Sequence, residues 1–402
     1  MSVALLRKMH PDLKLGLALI AAAALLRLGD PGGFLLTLAS LQLDFTMSSR
    51  NLLVFAGRIG GLAVIAAAIW VDRRPPHTMM AAGALFALLG LSTLSMPASV
   101  EAYAVGLFVA GLGGSAVDPL IFYAIVAKGA ARYRGMLIGG LGMVFLLCPG
   151  SYAIADWQIR ESFLFILVSA AFALAGAALL FVALPRVFTG AYEPGQTPRT
   201  NPGAPGIWRA LIWAIVAYSA AEAAALIVDI NVYGLTTQWT SRLDASELEF
   251  PLAPTFHIAS AVGILLWGAA GDFLALRRWL LLTAMLYMLG AGAAWVSGGL
   301  PASTVGLLAV GLARGGLICL PLILMAELLP TRHFAKLAIL VTYVGGVTGA
   351  VLGGLLLTAF SEAVPLIFLA LVVEALALSI IAVLMPRPRA AEEFRDDTKA
   401  QV

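Results

Sequence analysis

Two stretches of this 402-residue chain, VGLFVAGLGG (Val105–Gly114) and VGLLAVGLARGG (Val305–Gly316), decide how it is organised. The second repeats the first at an offset of 200 positions, and two Gly-Leu pairs recur in it. Each stretch lies inside a long apolar segment, and six such segments can be marked on either side of a polar connection. A motif that recurs in the same register in both parts indicates an internal duplication.

The apolar segments are too long and too poor in charge for a water-soluble protein. Hydrophobic residues make up 61% of the chain and charged residues 12%, whereas ordinary soluble domains have about 25% charged residues. Each segment is close to the roughly 20 residues that a helix needs to cross a bilayer. The sequence therefore predicts an all-α polytopic membrane protein with twelve transmembrane helices, at 15–43, 51–71, 79–97, 102–126, 135–155, 162–184, 208–233, 253–272, 279–299, 303–326, 336–359 and 363–385.

The basic residues predict the orientation of these helices. With the N-terminus inside, nineteen of the 25 lysines and arginines fall in cytoplasmic segments and three in outer loops. Because cytoplasmic loops carry an excess of Lys and Arg, both termini are expected in the cytoplasm. The expected location of the protein is a bacterial inner membrane. The predicted parts are an N-terminal six-helix half (1–184), a cytoplasmic linker (185–207), a C-terminal six-helix half (208–386) and a cytoplasmic tail (387–402).

Charged residues at the inner helix ends repeat with the same offset. Asp72 ends the second predicted helix and Asp272 ends the eighth, while Arg132 and Arg332 follow the fourth and the tenth. Basic residues beside the two aspartates could pair with them in one conformation only, and such breakable ion pairs suit a gate between two states. The alternative is that these basic residues simply follow the positive-inside rule.

These loops resemble the signature segments of the major facilitator superfamily, and the likeness covers essentially the whole chain. The loop AIWVDRRPPH keeps Asp72 and Arg73 of the family's Gly-x-x-x-Asp-Arg/Lys motif, but has Ala68 for its glycine. The second copy, GAAGDFLALRR, keeps Asp272 and ends in a basic pair that begins at Arg277. The resemblance implies two pseudo-symmetric six-helix halves and an inner gate of Asp72, Arg73, Asp272 and Arg277.

Ionisable side chains inside the predicted helices form the candidate site, because charges at membrane depth are costly and mark function by default. In the superfamily that the chain resembles, helices 1, 4, 7 and 10 line a central cavity. When charged residues at the inner helix ends are left out, eight lie within the predicted helices, and six of these fall on those four. The predicted substrate and proton cavity comprises Arg27, Asp30, Arg58, Asp118, Glu222, Asp229 and Arg314.

Several of these charges have a structural alternative. Arg27 and Asp30 are three positions apart and could neutralise one another on one helix face, although the GDPGG run around Asp30 favours a helix break that lines a cavity. Asp118 and Arg314 could pair across the cavity or bind substrate separately. A carboxylate in a low-dielectric cavity can load and release a proton near neutral pH, which makes Asp30, Asp118 and Glu222 the candidate proton carriers.

Together these features predict a secondary active transporter that moves a small molecule by alternating access, with a proton as the coupling ion. The open alternatives are a multidrug or metabolite efflux antiporter, a uniporter, and a non-transporting assembly factor on the same scaffold. The sequence shows no Walker phosphate loop and no nucleophile–base or metal-ligand cluster, so ATP-driven transport, enzyme activity, a cofactor and a metal are not expected. The expected partners are the substrate and the lipid bilayer. We expect a monomer that binds no nucleic acid, because the basic residues are spread over short loops.

Overall fold

The computed structural model describes residues 10–28, 47–93, 99–130, 133–147, 162–182, 207–242, 252–273, 276–296, 300–329, 333–360 and 364–384. Within these residues the chain forms fourteen helices. They are α1 (Pro11–Leu28), α2 (Met47–Gly61), α3 (Val64–Arg73), α4 (His77–Ser92), α5 (Val100–Ala116), α6 (Pro119–Gly129), α7 (Arg134–Leu147), α8 (Ser162–Val182), α9 (Ile207–Arg242), α10 (Leu252–Gly271), α11 (Leu276–Val296), α12 (Leu300–Leu328), α13 (Phe334–Phe360) and α14 (Val364–Leu384).

Helices occupy all twelve predicted spans, which confirms the all-α polytopic prediction. Two spans predicted as continuous helices are broken. The span predicted at 51–71 consists of α2 and α3, separated by a turn at Leu62 and Ala63, and the span predicted at 102–126 breaks at Val117 and Asp118. At the second break Pro119 begins α6, a position that suits proline because the first N–H groups of a helix have no partner within it. The break predicted after α1, and the polar linker and tail, lie outside the described residues.

The described helices have the apolar surface of an integral membrane protein. Five segments are long and apolar enough to cross a membrane, and six shorter apolar helices accompany them. Large apolar side chains such as Phe86, Val105 and Leu289 are exposed. In water, exposed apolar patches of this kind are an aggregation liability, whereas in a bilayer the acyl chains cover them.

The duplication seen in the sequence recurs in the packing of the helices. In the N-terminal half, α5 packs on α2 and α4, and α8 packs on α1 and α4. In the C-terminal half, α12 packs on α10 and α11, and α14 packs on α9 and α11, which are the equivalent pairs. The prediction of two pseudo-symmetric six-helix halves is confirmed.

The repeated glycines are packing residues. Gly90 of α4 lies against the backbone of Gly106 and Ala110, and Gly290 of α11 lies against Gly306, at positions 200 residues later. A Cβ at Gly90 would overlap the α5 backbone, so the close approach of these helices requires glycine there. Small residues at helix interfaces let backbones pack closely where no hydrophobic effect drives helix association in lipid.

The chain divides into two compact units. The first falls within Met1–Arg132, Val144–Gln196 and Phe334–Ile339, and the second within Tyr133–Met143, Thr197–His333 and Leu340–Val402. Each unit therefore contains most of one sequence half together with the start of a helix from the other half. The start of α13 belongs to the first unit and the start of α7 belongs to the second. These two helix starts carry the inner-end contacts described below.

Candidate functional site

A cavity of about 140 Å³ lies in the first unit and is lined by two charged side chains, Arg27 and Asp118. Arg27 stands in the last turn of α1, and Asp118 stands at the break between α5 and α6. The rest of the lining is apolar and comes from α1, α4, α5, α6, α7 and α8. One water needs about 10–15 Å³ of such space, so the cavity can hold several waters or a small molecule.

Arg27 is held against an aromatic ring. Its Cζ lies 5.1 Å from the centroid of the Phe145 ring, and Phe145 in turn meets Phe122 edge-on at 5.5 Å between centroids. The face of an aromatic ring attracts a guanidinium electrostatically. This contact helps to position the Arg27 charge beside the cavity.

Asp118 is held by the backbone of the helix that it begins. Its Oδ1 accepts the N–H of Leu120 at 2.8 Å, which is the side-chain cap that aspartate makes at a helix N-terminus. The positive end of the helix dipole favours the ionised carboxylate there. The charge of Arg27 acts on the same carboxylate. Arg27 and Asp118 are thus one charged pair on one cavity, a pairing that the sequence reasoning missed.

The other predicted cavity residues have different surroundings. Arg314 of α12 is buried in the second unit, with its Cζ 5.8 Å from the centroid of the Phe256 ring. Glu222 of α9 is half-buried and faces Gly349 of α13. A Cβ added at Gly349 would lie 2.7 Å from the Cβ of Glu222. Arg58 is exposed on α2. Asp30 and the side chain of Asp229 lie outside the described residues, and a single cavity shared by all seven stays a prediction.

The predicted gate residue Asp72 caps the start of α13. It accepts the backbone N–H groups of Ala335 at 3.2 Å and Lys336 at 3.3 Å, and it forms an ion pair with Lys128 at 2.5 Å. Lys128 also donates to the carbonyl of Val71 at 3.1 Å. The first N–H groups of a helix have no partner within the helix, and its dipole favours a carboxylate at this end.

The second predicted gate aspartate makes the equivalent contact. Asp272, just beyond the end of α10, accepts the N–H groups of Gly135 at 2.6 Å and Met136 at 2.8 Å, in the first turn of α7. Burial raises the pKa of Asp272, while these two hydrogen bonds and the nearby Arg134 oppose that shift. Arg134 also donates to the carbonyl of Ala326 at 3.1 Å.

The two caps are related by the offset that relates the helices. Asp72 and Asp272 are 200 positions apart, and so are the backbone N–H groups that donate to them, at 335–336 and 135–136. The basic partner of Asp72 is Lys128, which the sequence reasoning did not select. Arg73, selected for the gate, is exposed, and the side chain of Arg277 lies outside the described residues. The internal repeat could have indicated these contacts, because the offset of 200 positions relates the two capped helix starts as well as the two aspartates.

Metal-binding geometry is not found in the part of the chain that the structure describes. No group of three or more His, Cys, Asp or Glu side chains there could hold a metal ion.

No protein-family model matches the chain, and no curated protein matches it in sequence. Solved structures do match. The chain is similar to a bacterial homologue of the iron transporter ferroportin in an outward-facing state, with a TM-score of 0.68 and 14% identity over 93% of this chain and 99% of that one. It is similar to the E. coli fucose:proton symporter, with a TM-score of 0.67 and 12% identity over 93% and 99%.

A human protein shares the same fold. The organic anion transporter MFSD10 has a TM-score of 0.62 and 15% identity over 94% of this chain and 100% of that one. A second structure of the fucose symporter is described as a major facilitator superfamily transporter in the outward conformation. Similarity at these identities reports the fold. This chain has the major facilitator superfamily fold, that of an all-α polytopic membrane protein built from two pseudo-symmetric six-helix halves.

Proposed function

We propose that the protein is a secondary active transporter that moves a small molecule across the membrane by alternating access, coupled to protons. The observation that supports this most is the pair of reciprocal helix caps, Asp72 on the start of α13 and Asp272 on the start of α7. Each cap ties a helix end in one half of the sequence to a helix start in the other half. Contacts of this kind can open and close as a unit.

The energies of the caps suit a reversible gate. Each hydrogen bond to an ionised group contributes about 1.5–3 kcal/mol when it is made. When a cap opens, water forms hydrogen bonds with both the carboxylate and the helix N–H groups. The net free-energy cost of opening is therefore well below the sum of these contributions. A gap of a few kcal/mol leaves the minor state at about 0.1–10%. In this proposal the gate consists of Asp72, Arg73, Asp272 and Arg277, with Lys128 added as the buried partner of Asp72.

The proton-coupled form of the proposal is supported by Asp118. Asp118 is a carboxylate on a small, mostly apolar cavity beside an arginine, and carboxylates in such sites are candidates for proton transfer. The structurally similar fucose symporter is a proton symporter, a property of that protein that makes the proposal reasonable for this one.

The setting of the transporter is part of the proposal. We place it as a monomer in a bacterial inner membrane with both termini in the cytoplasm, because the bias of lysines and arginines supports that orientation. The linker at 185–207 would then join the halves on the cytoplasmic side. Transport and not catalysis would be the activity.

Transport is tested with purified protein in liposomes that contain a pH-sensitive dye. Pools of amino acids, organic acids, sugars and lipophilic cations are added in turn to the wild type, to Asp72→Asn and to Glu101→Gln. Glu101 is exposed in the first turn of α5 and serves as the matched acid-to-amide control. One pool should move protons with the wild type and the control, and more slowly with Asp72→Asn. If no pool moves protons and no labelled member exchanges across the membrane, the protein is not a transporter of these solutes and the proposal fails.

A further inference from the structure

We propose that an apolar groove on the first unit binds one anionic phospholipid of the cytoplasmic leaflet, with an acyl chain in the groove and the phosphate at Arg73 and Arg74. The groove has a volume of about 450 Å³ and lies between α3, α4 and α5. The inference uses the proposed orientation, which places the inner ends of these helices at the cytoplasmic leaflet. It does not depend on the proposed transport function.

Two glycines shape the floor of the groove. A Cβ at Gly83 of α4 would overlap Ala116 of α5, and a Cβ at Gly113 of α5 would overlap the backbone of Ala87. Small residues at these positions let the two helices pack closely. The floor between α4 and α5 therefore carries no bulky side chain, and an extended acyl chain can lie along it.

The rims of the groove are apolar and exposed. They are formed by Trp70 of α3, Phe86 of α4 and Leu112 of α5. Along α4 the lining runs from Thr78 to Phe86, a length of about 12 Å at about 1.5 Å per residue. The hydrocarbon of one leaflet is about 15 Å thick, half of the roughly 30 Å of the bilayer core. The groove thus matches most of the depth of one leaflet, where acyl chains are the available occupant.

Trp70 is fixed where the groove reaches the membrane surface. Its indole N–H donates to the carbonyl of Pro75 at 3.3 Å, and the Cζ of Arg74 lies 5.0 Å from the centroid of the indole ring. Tryptophan is enriched at the membrane–water interface, and a guanidinium over its ring makes a cation–π contact. These two contacts hold Arg74 at the inner mouth of the groove.

The charge at this mouth is positive. Arg73 and Arg74 are both exposed, and the carboxylate next to them in the sequence, Asp72, is paired with Lys128. Basic residues on the cytoplasmic side of transmembrane helices attract anionic lipids, and basic pockets between such helices bind their headgroups. A lipid phosphate is complementary to the two arginines, while the adjoining groove takes the chain attached to it.

Quenching of tryptophan fluorescence by brominated lipid measures binding at the groove itself. The protein is reconstituted into vesicles of equal parts phosphatidylglycerol and phosphatidylcholine. In one set the phosphatidylglycerol carries bromine near its headgroup, and in the other set the phosphatidylcholine does, so the surface charge is the same in both. The difference between the wild type and Trp70→Phe reports the quenching at Trp70.

The arginines should give the site its preference for an anionic headgroup. In the wild type, phosphatidylglycerol should bind about tenfold more tightly than phosphatidylcholine, a preference within reach of two basic residues near the membrane surface. The double variant Arg73→Gln, Arg74→Gln should lose this preference. The matched control is the double variant Arg209→Gln, Arg278→Gln, which removes two exposed arginines of the second unit and should keep it.

The groove is tested separately from the charges. Ala82 lines the groove and is exposed, so Ala82→Phe fills the groove and should remove most of the quenching by phosphatidylglycerol at Trp70. Ala66 of α3 is also exposed but does not line the groove, and Ala66→Phe should leave the quenching unchanged. Melting temperatures in detergent equal to that of the wild type show that these variants are folded.

Three results would overturn the inference. The first is equal binding of the two lipids by the wild type, which is general contact with the bilayer. The second is a preference that survives in the Arg73→Gln, Arg74→Gln variant or in Ala82→Phe. The third is a change in the mass of the purified particle in Ala82→Phe with unchanged quenching, which makes the groove a contact between copies of this chain. No solute is transported in these measurements, so their failure leaves the proposed transport function standing.

Discussion

The ion pair between Lys128 and Asp72 gives the sharpest mutational prediction. The two side chains are 9% and 2% exposed and lie 2.5 Å apart, so each carries a charge that water does not reach. Removal of one partner of a buried pair costs about 3–5 kcal/mol, because the other charge is left without compensation. Lysine can extend its ammonium towards solvent. For Asp72→Asn we therefore expect a loss of about 3 kcal/mol in the free energy of unfolding, near the lower limit of that range.

The double substitution distinguishes a buried pair from two independent side chains. Asp72→Asn and Lys128→Met should each destabilise the start of α13. The double variant should lose less free energy of unfolding than the two single variants together, because no uncompensated charge remains. The coupling energy should exceed about 2 kcal/mol, above the range of exposed ion pairs.

Hydrogen–deuterium exchange at Ala335 and Lys336 measures the effect where it acts, because Asp72 accepts both N–H groups. Exchange there should accelerate by at least about tenfold in Asp72→Asn, since 1.4 kcal/mol corresponds to one factor of ten. Glu101→Gln should leave it unchanged. Unchanged exchange in Asp72→Asn, or single-variant costs that simply add, would refute the assignment of a buried, coupled cap.

Three further predictions concern the same structure. Gly135→Ala places a Cβ 2.9 Å from Asp272 Oδ1 and against the backbone of Gly268, so overpacking should lower the free energy of unfolding by about 1–3 kcal/mol and lower the melting temperature. Gly354→Ala, which has open space at the added Cβ, should be neutral or stabilising in the same thermal unfolding measurement. Asp118→Ala should cost about 1 kcal/mol of stability through the lost cap, and Asp118→Asn should cost almost nothing. Because burial raises the pKa of Asp272, the contribution of this carboxyl to the free energy of unfolding is complete below its unfolded pKa of about 3.9 and is lost as the pH rises through the raised value. The melting temperature of the wild type should therefore fall as the pH rises from about 3 to about 7, and Asp272→Asn should lack that dependence.

Composition predicted the all-α membrane fold, and the internal repeat with the family resemblance predicted its two halves, because none of these signals requires knowledge of three-dimensional contacts. A membrane-spanning helix satisfies its own backbone hydrogen bonds, so each apolar segment predicts a helix without knowledge of its neighbours. The offset of 200 positions pairs Gly106 with Gly306, and in the structure Gly90 and Gly290 pack against these two glycines in equivalent ways. The missed helix breaks depended on local chemistry that is readable in retrospect, since Asp118 followed by Pro119 is a helix-start signature.

The charged partners could not be predicted in the same way. Lys128 lies 56 positions from Asp72, and Ala335 lies 263 positions from it. Sequence separation of this size leaves many basic residues equally eligible, and the choice fell on Arg73, which is adjacent to Asp72 but exposed. Asp118 was assigned to the candidate site, but its partner Arg27 was paired with Asp30 because those two share a helix. Tertiary packing, not local pattern, decides such pairs.

The central claim is that the two caps form one gate that opens and closes during transport. Hydrogen–deuterium exchange of the wild type in lipid nanodiscs, with and without the solute that the liposome assay identifies, tests this directly. The amides of Gly135 and Met136 and those of Ala335 and Lys336 should change their protection together when the solute is added. Transport that proceeds while one cap changes and the other does not, or while neither changes, would contradict the account.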